Sequence, residues 1–232
     1  MSQSQTAASY ESVYNTLRKR ILHLDLIPGS LVSEIETAKE FSVSRTPVRD
    51  AFKALVNEGL LEVKPHVGTF VTLINMDEIS DILYIREVME KAIIKDLILS
   101  FNQSQEFKLR NILHTQKDLI ANSSLSSQDF AREFAKSDND FHKMLFTLTG
   151  KANLINYFQT INAQYERFRT FLNLENQATA QTLYEQHLAL FNHIKDKNIA
   201  EADKLITHHI YDGFNSKAHI MHEYPHYFCP LK

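Results

Sequence analysis

The sequence is poor in residues that cross-link chains, break helices or enter membranes. Its 232 residues include five prolines, five glycines and a single cysteine. That cysteine, Cys229, has no second thiol in the chain, which excludes an intrachain disulfide. No apolar run approaches the length of a bilayer span, and residues 1–5 lack the basic-then-apolar layout of a signal peptide. With a net charge of −3 and a pI near 6.4, the chain is predicted to be cytoplasmic and to make no membrane contact.

An excess of positive charge is missing as well. Residues 1–74 contain eight Lys and Arg and eight Asp and Glu. A basic domain is the usual mark of a nucleic-acid-binding protein, so the charge balance gives no support to DNA binding. A prediction of DNA binding therefore depends on the residue pattern.

The scarcity of helix breakers is greatest in the second half of the chain. Beyond residue 75, glycine occurs at positions 150 and 213, and the first proline is Pro225. Such a stretch favours long helices, because glycine and proline are the least favourable residues inside them. We predict helices at residues 77–101, 104–121, 127–148, 151–173, 177–196 and 199–220. They would form an all-helical bundle that makes residues 75–232 a second domain.

What the first half does contain is a pattern typical of a recognition helix. Arg45 and Arg49 open a helix that follows a short polar turn. Apolar residues recur in this helix at i, i+3, i+4 and i+7 (Val48, Ala51, Phe52 and Leu55). One face is therefore packed, and the N-terminal turn presents guanidinium groups. A helix of this kind enters the major groove of DNA by its first turn.

The segments on either side complete a DNA-binding domain. A helical pattern over residues 10–24 precedes a capping-box pattern at residues 33–36, which opens a second short helix. After Gly59, two short strands surround a turn that contains Pro65 and Gly68. Three helices and a hairpin predict a winged helix-turn-helix. The fold class is thus mainly α, with this domain at residues 10–74 after a disordered segment at residues 1–9.

Polar side chains interrupt the apolar stripes of the predicted bundle. At about 100° per residue, Arg86 falls in the stripe of the first bundle helix, His187 in that of the fifth and His209 in that of the sixth. Asp138 and His142 lie four residues apart at the edge of the stripe of the third. Buried polar groups are costly unless they are paired or bind a metal, so these residues indicate one shared interior site.

Three imidazoles and one carboxylate suit a divalent transition metal such as zinc, nickel, iron or manganese. Each residue also has an ordinary structural explanation. Asp138 and His142 could be a helical i,i+4 pair, either later histidine could be a hydrogen-bonded core residue, and Arg86 could pair with Glu90. His208 is predicted to point away from the interior.

Residues 26–34 (LIPGSLVSE), 44–49 (SRTPVR) and 59–61 (GLL) resemble the DNA-binding domain of GntR-type bacterial transcription regulators. The resemblance implies that a small set of residues contacts DNA at the recognition helix and the wing tip: Ser44, Arg45, Thr46, Arg49, His66 and Gly68. Two positions depart from the family pattern, since Ile35 and Val67 stand where many relatives carry arginine. Both changes remove a positive charge and imply a different operator.

The second half resembles another part of that family. Residues 138–142 (DNDFH), then His187 and His209, follow the pattern of the FCD-type helical effector domain of the FadR branch. The resemblance implies a divalent metal held by four side chains: Asp138, His142, His187 and His209. Zinc or nickel is the preferred ion, and iron or manganese is the alternative. The resemblance also implies a carboxylate metabolite that completes the coordination, with Arg86 facing the pocket.

The sequence thus predicts a metabolite-responsive transcription regulator rather than an enzyme. We expect a repressor that binds palindromic double-stranded operator DNA as a homodimer and senses a small organic acid. A sensor of acyl-CoA that uses no metal is one alternative. A metal-dependent enzyme is another, although a DNA-binding domain has no role in catalysis and no second acid/base pair lies in the stripes.

Overall fold

The computed structural model describes residues 3–155, 163–173, 177–216 and 218–230, and the fold is mainly α, as predicted. Its helices are α1 (Gln3–Leu22), α2 (Glu34–Glu40), α3 (Arg45–Asn57), α4 (Met76–Ser100), α5 (Gln103–Ala121), α6 (Ser127–Leu148), α7 (Ala163–Asn173), α8 (Gln177–Lys195), α9 (Ile199–Ser216) and α10 (Ala218–Glu223). Its strands are β1 (Leu31–Val32), β2 (Leu61–Lys64) and β3 (Gly68–Val71). Among the described residues, no helix is long and apolar enough to cross a membrane.

The predicted winged helix-turn-helix is present. Ser33 caps α2 by accepting a hydrogen bond from the Glu36 N–H at 3.4 Å, which satisfies a free amide of the first turn. Gly59, at φ +70°, follows the end of α3 in the left-handed region that glycine tolerates. The apolar face of α3 is buried, as its periodicity predicts, by Val48, Ala51, Phe52 and Leu55.

The wing is a three-stranded antiparallel sheet with the order β1-β3-β2. Strands β2 and β3 are the predicted hairpin and pair from Leu61↔Val71 to Lys64↔Gly68. The third strand, β1, has two residues and pairs with β3 at Leu31↔Phe70. The sequence pattern missed it because a two-residue strand has no periodicity. The first helix also begins earlier than predicted, at Gln3, within the segment expected to be disordered.

The chain divides into two compact units that differ from the predicted halves. The first comprises Met1–Ser80, Thr160–Phe171 and Ala218–Lys232, and the second comprises Asp81–Gln159 and Leu172–Lys217. The first unit therefore takes part of α7 and the C-terminal segment, which the sequence assigned to the bundle.

Arg167 of α7 explains why part of that helix belongs to the first unit. This arginine is fully buried and donates hydrogen bonds to the carbonyl and hydroxyl oxygens of Thr72, just beyond β3. Its neighbour Gln164 donates to the Gly59 carbonyl at the end of α3. Polar groups of the residues that follow α3 and β3 thus find hydrogen-bond partners on α7.

The C-terminal segment is held by main-chain hydrogen bonds. The Ile74 N–H donates to the Tyr227 carbonyl at 2.8 Å, and the Cys229 N–H donates to the Ile74 carbonyl at 2.9 Å. The Phe228 ring packs edge-on against Phe171 of α7, with ring centroids 5.2 Å apart.

The second unit contains long helices close to their predicted bounds. Asn102 and Gln105 form a reciprocal capping box at the start of α5, and Ser126 caps α6. The predicted helix at 151–173 is seen at residues 152–155 and in α7, while residues 156–162 lie outside the described part of the chain.

Candidate metal centre and DNA-binding surface

Four side chains from three helices converge in the second unit. Asp138 and His142 lie one turn apart on α6, His187 lies on α8 and His209 on α9. All four are buried, and their ligand atoms lie within 4.8 Å of one another. The helical phase predicted this arrangement, including the adjacent residue His208, whose side chain is 64% exposed.

Each of the three imidazoles points its Nε2 atom at the centre of the cluster. His209 Nε2 lies 3.3 Å from His187 Nε2 and 3.1 Å from His142 Nε2. Asp138 Oδ1 lies 3.6 Å from His187 Nε2. Two imidazole nitrogens bound to one zinc-sized ion at about 2.0–2.1 Å each are separated by roughly 3 Å or more, so these distances fit ligands of a single ion.

An outer partner fixes the tautomer of each ring. His187 Nδ1 lies 3.0 Å from Gln116 Oε1, and His209 Nδ1 lies 2.7 Å from Gln186 Oε1. His142 Nδ1 lies 2.7 Å from a carboxylate oxygen of Glu90. These oxygens accept hydrogen bonds and cannot donate them, so each Nδ1 carries the proton. In the neutral ring each Nε2 then carries a lone pair that points at the cluster, which is the form in which histidine binds a metal.

The orientation of both glutamines is set by a second contact. Gln116 Nε2 donates to the Ser137 carbonyl at 3.3 Å, and Gln186 Nε2 donates to Asp212 at 3.0 Å. Each amide therefore presents its oxygen to the histidine rather than its nitrogen. Phe141 adds a steric constraint, since its ring stacks on that of His187 with centroids 4.0 Å apart.

Three lone pairs that face one another repel unless a cation lies between them. Burial lowers the pKa of His209 well below its ordinary value, and the neighbouring His187 and His142 lower it further. Protonation of this ring is therefore a poor source of the positive charge. Three neutral imidazoles and a carboxylate are the ligand set of a divalent transition metal, so the residues fit the metal that the resemblance implies.

Arg86 is buried as predicted, and it forms the ion pair with Glu90 that the sequence offered as its ordinary structural explanation. Its Nε and Nη2 both contact Glu90 Oε1 at 2.9 Å. The other oxygen of Glu90 accepts from His142, so this carboxylate joins Arg86 to a predicted ligand. Burial raises the pKa of Glu90, but the charge of Arg86 and the hydrogen bond from His142 outweigh burial and hold the pKa well below its usual range.

The outer partners Glu90, Gln116 and Gln186 were not among the predicted site residues. A signal existed for two of them. Glu90 lies four residues after Arg86 on the buried face of α4, and Gln116 continues the buried series Leu109, Leu113 at i+3. Gln186 is half-buried beside His187 and carries no periodic signal.

The predicted DNA-contacting residues form an exposed surface of the first unit. Ser44 is the N-cap of α3 and makes no side-chain capping hydrogen bond, and Arg45, Thr46 and Arg49 are exposed on the first turns. Arg49 forms an ion pair with Glu34 of α2 at 3.6 Å. A free N-terminal turn with exposed arginines is available to phosphates and base edges.

The wing tip is also exposed. His66 has φ +62°, Val67 is 68% exposed, and Gly68 begins β3. Ile35, the other departure from the family pattern, is 45% exposed on α2. At both positions this chain therefore exposes an apolar side chain where the family pattern has arginine.

Two protein families match the chain. The family described as "Bacterial regulatory proteins, gntR family" matches residues 9–71, and "FCD domain" matches residues 81–212. The HTH-type transcriptional repressor RspR of Escherichia coli (strain K12) is 27% identical over 218 residues, which cover 94% of this chain and 92% of that protein. The HTH-type transcriptional regulator LutR of Bacillus subtilis (strain 168) is 26% identical over 204 residues, covering 80% of this chain and 90% of that protein.

Solved structures of the same fold cover nearly the whole chain. A transcriptional regulator GntR from Rhodococcus sp. RHA1 has a TM-score of 0.68 at 20% identity, covering 95% of this chain and 99% of that one. E. coli McbR/YncC has a TM-score of 0.65 at 17% identity, covering 93% and 97%. At these identities the likeness shows the fold alone.

Proposed function

Because the chain belongs to the GntR family of bacterial transcription regulators and carries an FCD domain, we propose that it is a metal-containing repressor that senses a small organic acid. In this proposal a homodimer binds palindromic operator DNA through two winged helix-turn-helix domains. The effector favours the state of the dimer with the lower operator affinity, because a ligand shifts an equilibrium by its difference in affinity for the two states. The similarity to RspR, a transcriptional repressor, supports repression rather than activation of transcription.

One observation carries the sensing proposal: three Nε2 lone pairs and a carboxylate converge in a buried site. Asp138, His142, His187 and His209 would hold the metal, with zinc or nickel suiting the nitrogen-rich set best and iron or manganese as the alternatives. When bound, the metal supplies a Lewis acid that attracts a carboxylate oxygen. The protein supplies burial, which strengthens that attraction by excluding water.

Arg86 is proposed as a second determinant of effector binding. Its side chain is 8% exposed, and its guanidinium is held by Glu90, which in turn contacts His142. Arg86 therefore contributes positive charge at the edge of the metal centre in a fixed position. A buried positive charge held in a fixed position favours an anionic effector.

The proposed metal centre predicts a specific pattern of metal loss. Full-length protein is expected to bind about one divalent ion per chain. That ion is expected to be lost in variants that replace a ligand with alanine, namely D138A, H142A, H187A and H209A. H208A and H193A serve as matched controls, since they remove histidines of the same helices outside the cluster.

Elemental analysis of the six purified variants is the measurement. Retention of metal in H209A together with its loss in H208A would contradict the assigned rotation of α9. Absence of metal from the wild type after growth with each of the four metals would favour the acyl-CoA sensor instead. The matching families and relatives are transcriptional regulators rather than enzymes, so the enzymatic alternative has no support.

A further inference from the structure

Glu90 lowers the net charge of the proposed effector pocket by one. It occupies the carboxylate-binding fork of Arg86 with one oxygen and contacts the metal-ligand candidate His142 with the other. Its side chain is 3% exposed, which leaves little water to screen its charge. The protein thus already places one carboxylate where an effector carboxylate would otherwise meet Arg86.

The charges around the centre can be counted. In the described part of the second unit, the buried side chains of fixed charge are Arg86, Glu90 and Asp138. Imidazoles that bind a metal through Nε2 are neutral ligands, so the protein contributes a net charge of −1. Asp212, the carboxylate behind Gln186, is 26% exposed and is screened by water.

A divalent metal ion raises the net charge of the site from −1 to +1. One negative charge from the effector then neutralises the site, whereas a second leaves an uncompensated anion in a buried environment. Burial of an unpaired charge is among the most costly events in a protein interior. The preference for one negative charge over two depends on Glu90, because without this residue the same site would carry a net charge of +2 and could neutralise two.

We propose that the effector is a monocarboxylate, and that Glu90 is the residue that selects against dicarboxylates. This inference rests on the proposed function, since it takes the metal and the sensing of an organic acid as given. It narrows the effector class to organic acids that carry one negative charge at neutral pH. Hydroxyl groups on such an acid add polar contacts without adding charge.

The test compares acids that differ in one carboxylate. Gluconate is matched with glucarate, and the 4-amide of malate with malate. Binding of each to metal-loaded full-length protein is measured by calorimetry and by the shift in melting temperature. We expect the monoanion of each pair to bind at least roughly tenfold more tightly than the dianion. A ratio of this size corresponds to a small part of the free energy that burial of one uncompensated charge costs.

Two variants locate the source of selectivity. Glu90→Gln, measured at saturating metal, is expected to reduce the preference for the monoanion to below about threefold or to reverse it. Glu87→Gln is the matched control, because Glu87 lies one turn earlier on α4 and bonds Lys91 and Thr207 outside the cluster. It is expected to keep the wild-type preference.

The outcomes separate this inference from the proposed function. If dicarboxylates bind the wild type as tightly as their monoanionic partners, organic-acid sensing stands and charge selection is wrong. If Glu90→Gln folds, binds metal and keeps the full preference, Glu90 is not its source and the inference is overturned. If no acid of either class binds the metal-loaded wild type, both the proposed sensing and this inference fail.

Discussion

Each imidazole of the cluster is oriented by one hydrogen bond to its outer nitrogen, and this is the residue-scale basis of the site. The partners are an amide oxygen on α5, an amide oxygen on α8 and a carboxylate on α4. Such partners fix the ring plane and the tautomer before a metal arrives, which lowers the entropy lost on binding.

Gln186→Ala tests that role without removing a ligand. The variant leaves His209 Nδ1 without its acceptor, so the ring is free to rotate and to exchange its proton between nitrogens. Metal affinity is expected to fall by about 10–100-fold. Competition with a chelating dye gives the affinity. Gln181→Ala is the control, because Gln181 lies on the same helix and bonds Glu185 at the surface; equal affinities in the two variants would contradict the orienting role.

At this scale the convergence of the four candidate ligands was predictable from the sequence, and their electrostatic surroundings were less so. Helical phase alone separates His209, which is 8% exposed, from its exposed neighbour His208. The sequence also offered Glu90 as a partner of Arg86. It did not decide between that pair and a free guanidinium, because the choice depends on side-chain rotamers and on His142, which lies 52 residues away.

At the scale of elements, α3 is placed by its apolar face and is proposed to contact DNA through its first turns. Arg45→Ala and Arg49→Ala are each expected to weaken operator binding by roughly 1–3 kcal/mol where the arginine contacts a base. Lys53→Ala is the control, since Lys53 lies further along α3 and pairs with Asp50. Gel-shift titrations at fixed salt are the measurement. Unchanged affinity in both arginine variants would show that α3 does not enter the groove by this end.

The C-terminal segment is a second element whose role can be tested. Phe228 is 8% exposed and packs on Phe171, while the chain around it pairs with Ile74. Phe228→Ala is expected to destabilise the first unit by roughly 3 kcal/mol, the lower end for loss of a buried phenylalanine. Urea denaturation is the measurement, and His226→Ala, a substitution of an exposed residue, is the control. Equal midpoints in the two variants would mean that the segment adds no stability.

Periodicity located the long helices because their signal is local. It did not locate β1, which is defined by its partner β3, or the membership of α7 in the first unit, which depends on Arg167 and Thr72. Those two residues are separated by 95 positions. Contacts at such separation leave no repeat in the sequence, so they become visible when the chain is folded.

At the scale of the whole molecule, the proposed regulator has three ligands whose affinities are linked: metal, effector and operator. The metal is proposed to complete the effector pocket, and the effector to favour the state that binds DNA weakly. Linkage then requires that the factor by which effector weakens operator binding equal the factor by which operator weakens effector binding. This equality holds whatever path connects the sites.

The final prediction uses that equality. With metal bound, a stabilising organic acid is expected to lower operator affinity by roughly 5–150-fold, the usual range of such coupling, and saturating operator is expected to weaken binding of that acid by the same factor. A chelator is expected to remove both effects, because the acid loses its Lewis-acid partner while the winged domain keeps its DNA surface. Arg86→Lys, which keeps the charge but not the fork, is expected to retain metal and reduce the effect. Fluorescence anisotropy with labelled operator measures one factor and calorimetry the other. If the acid acts equally on chelated and metal-loaded protein, the metal is structural, and the pocket senses the acid without it.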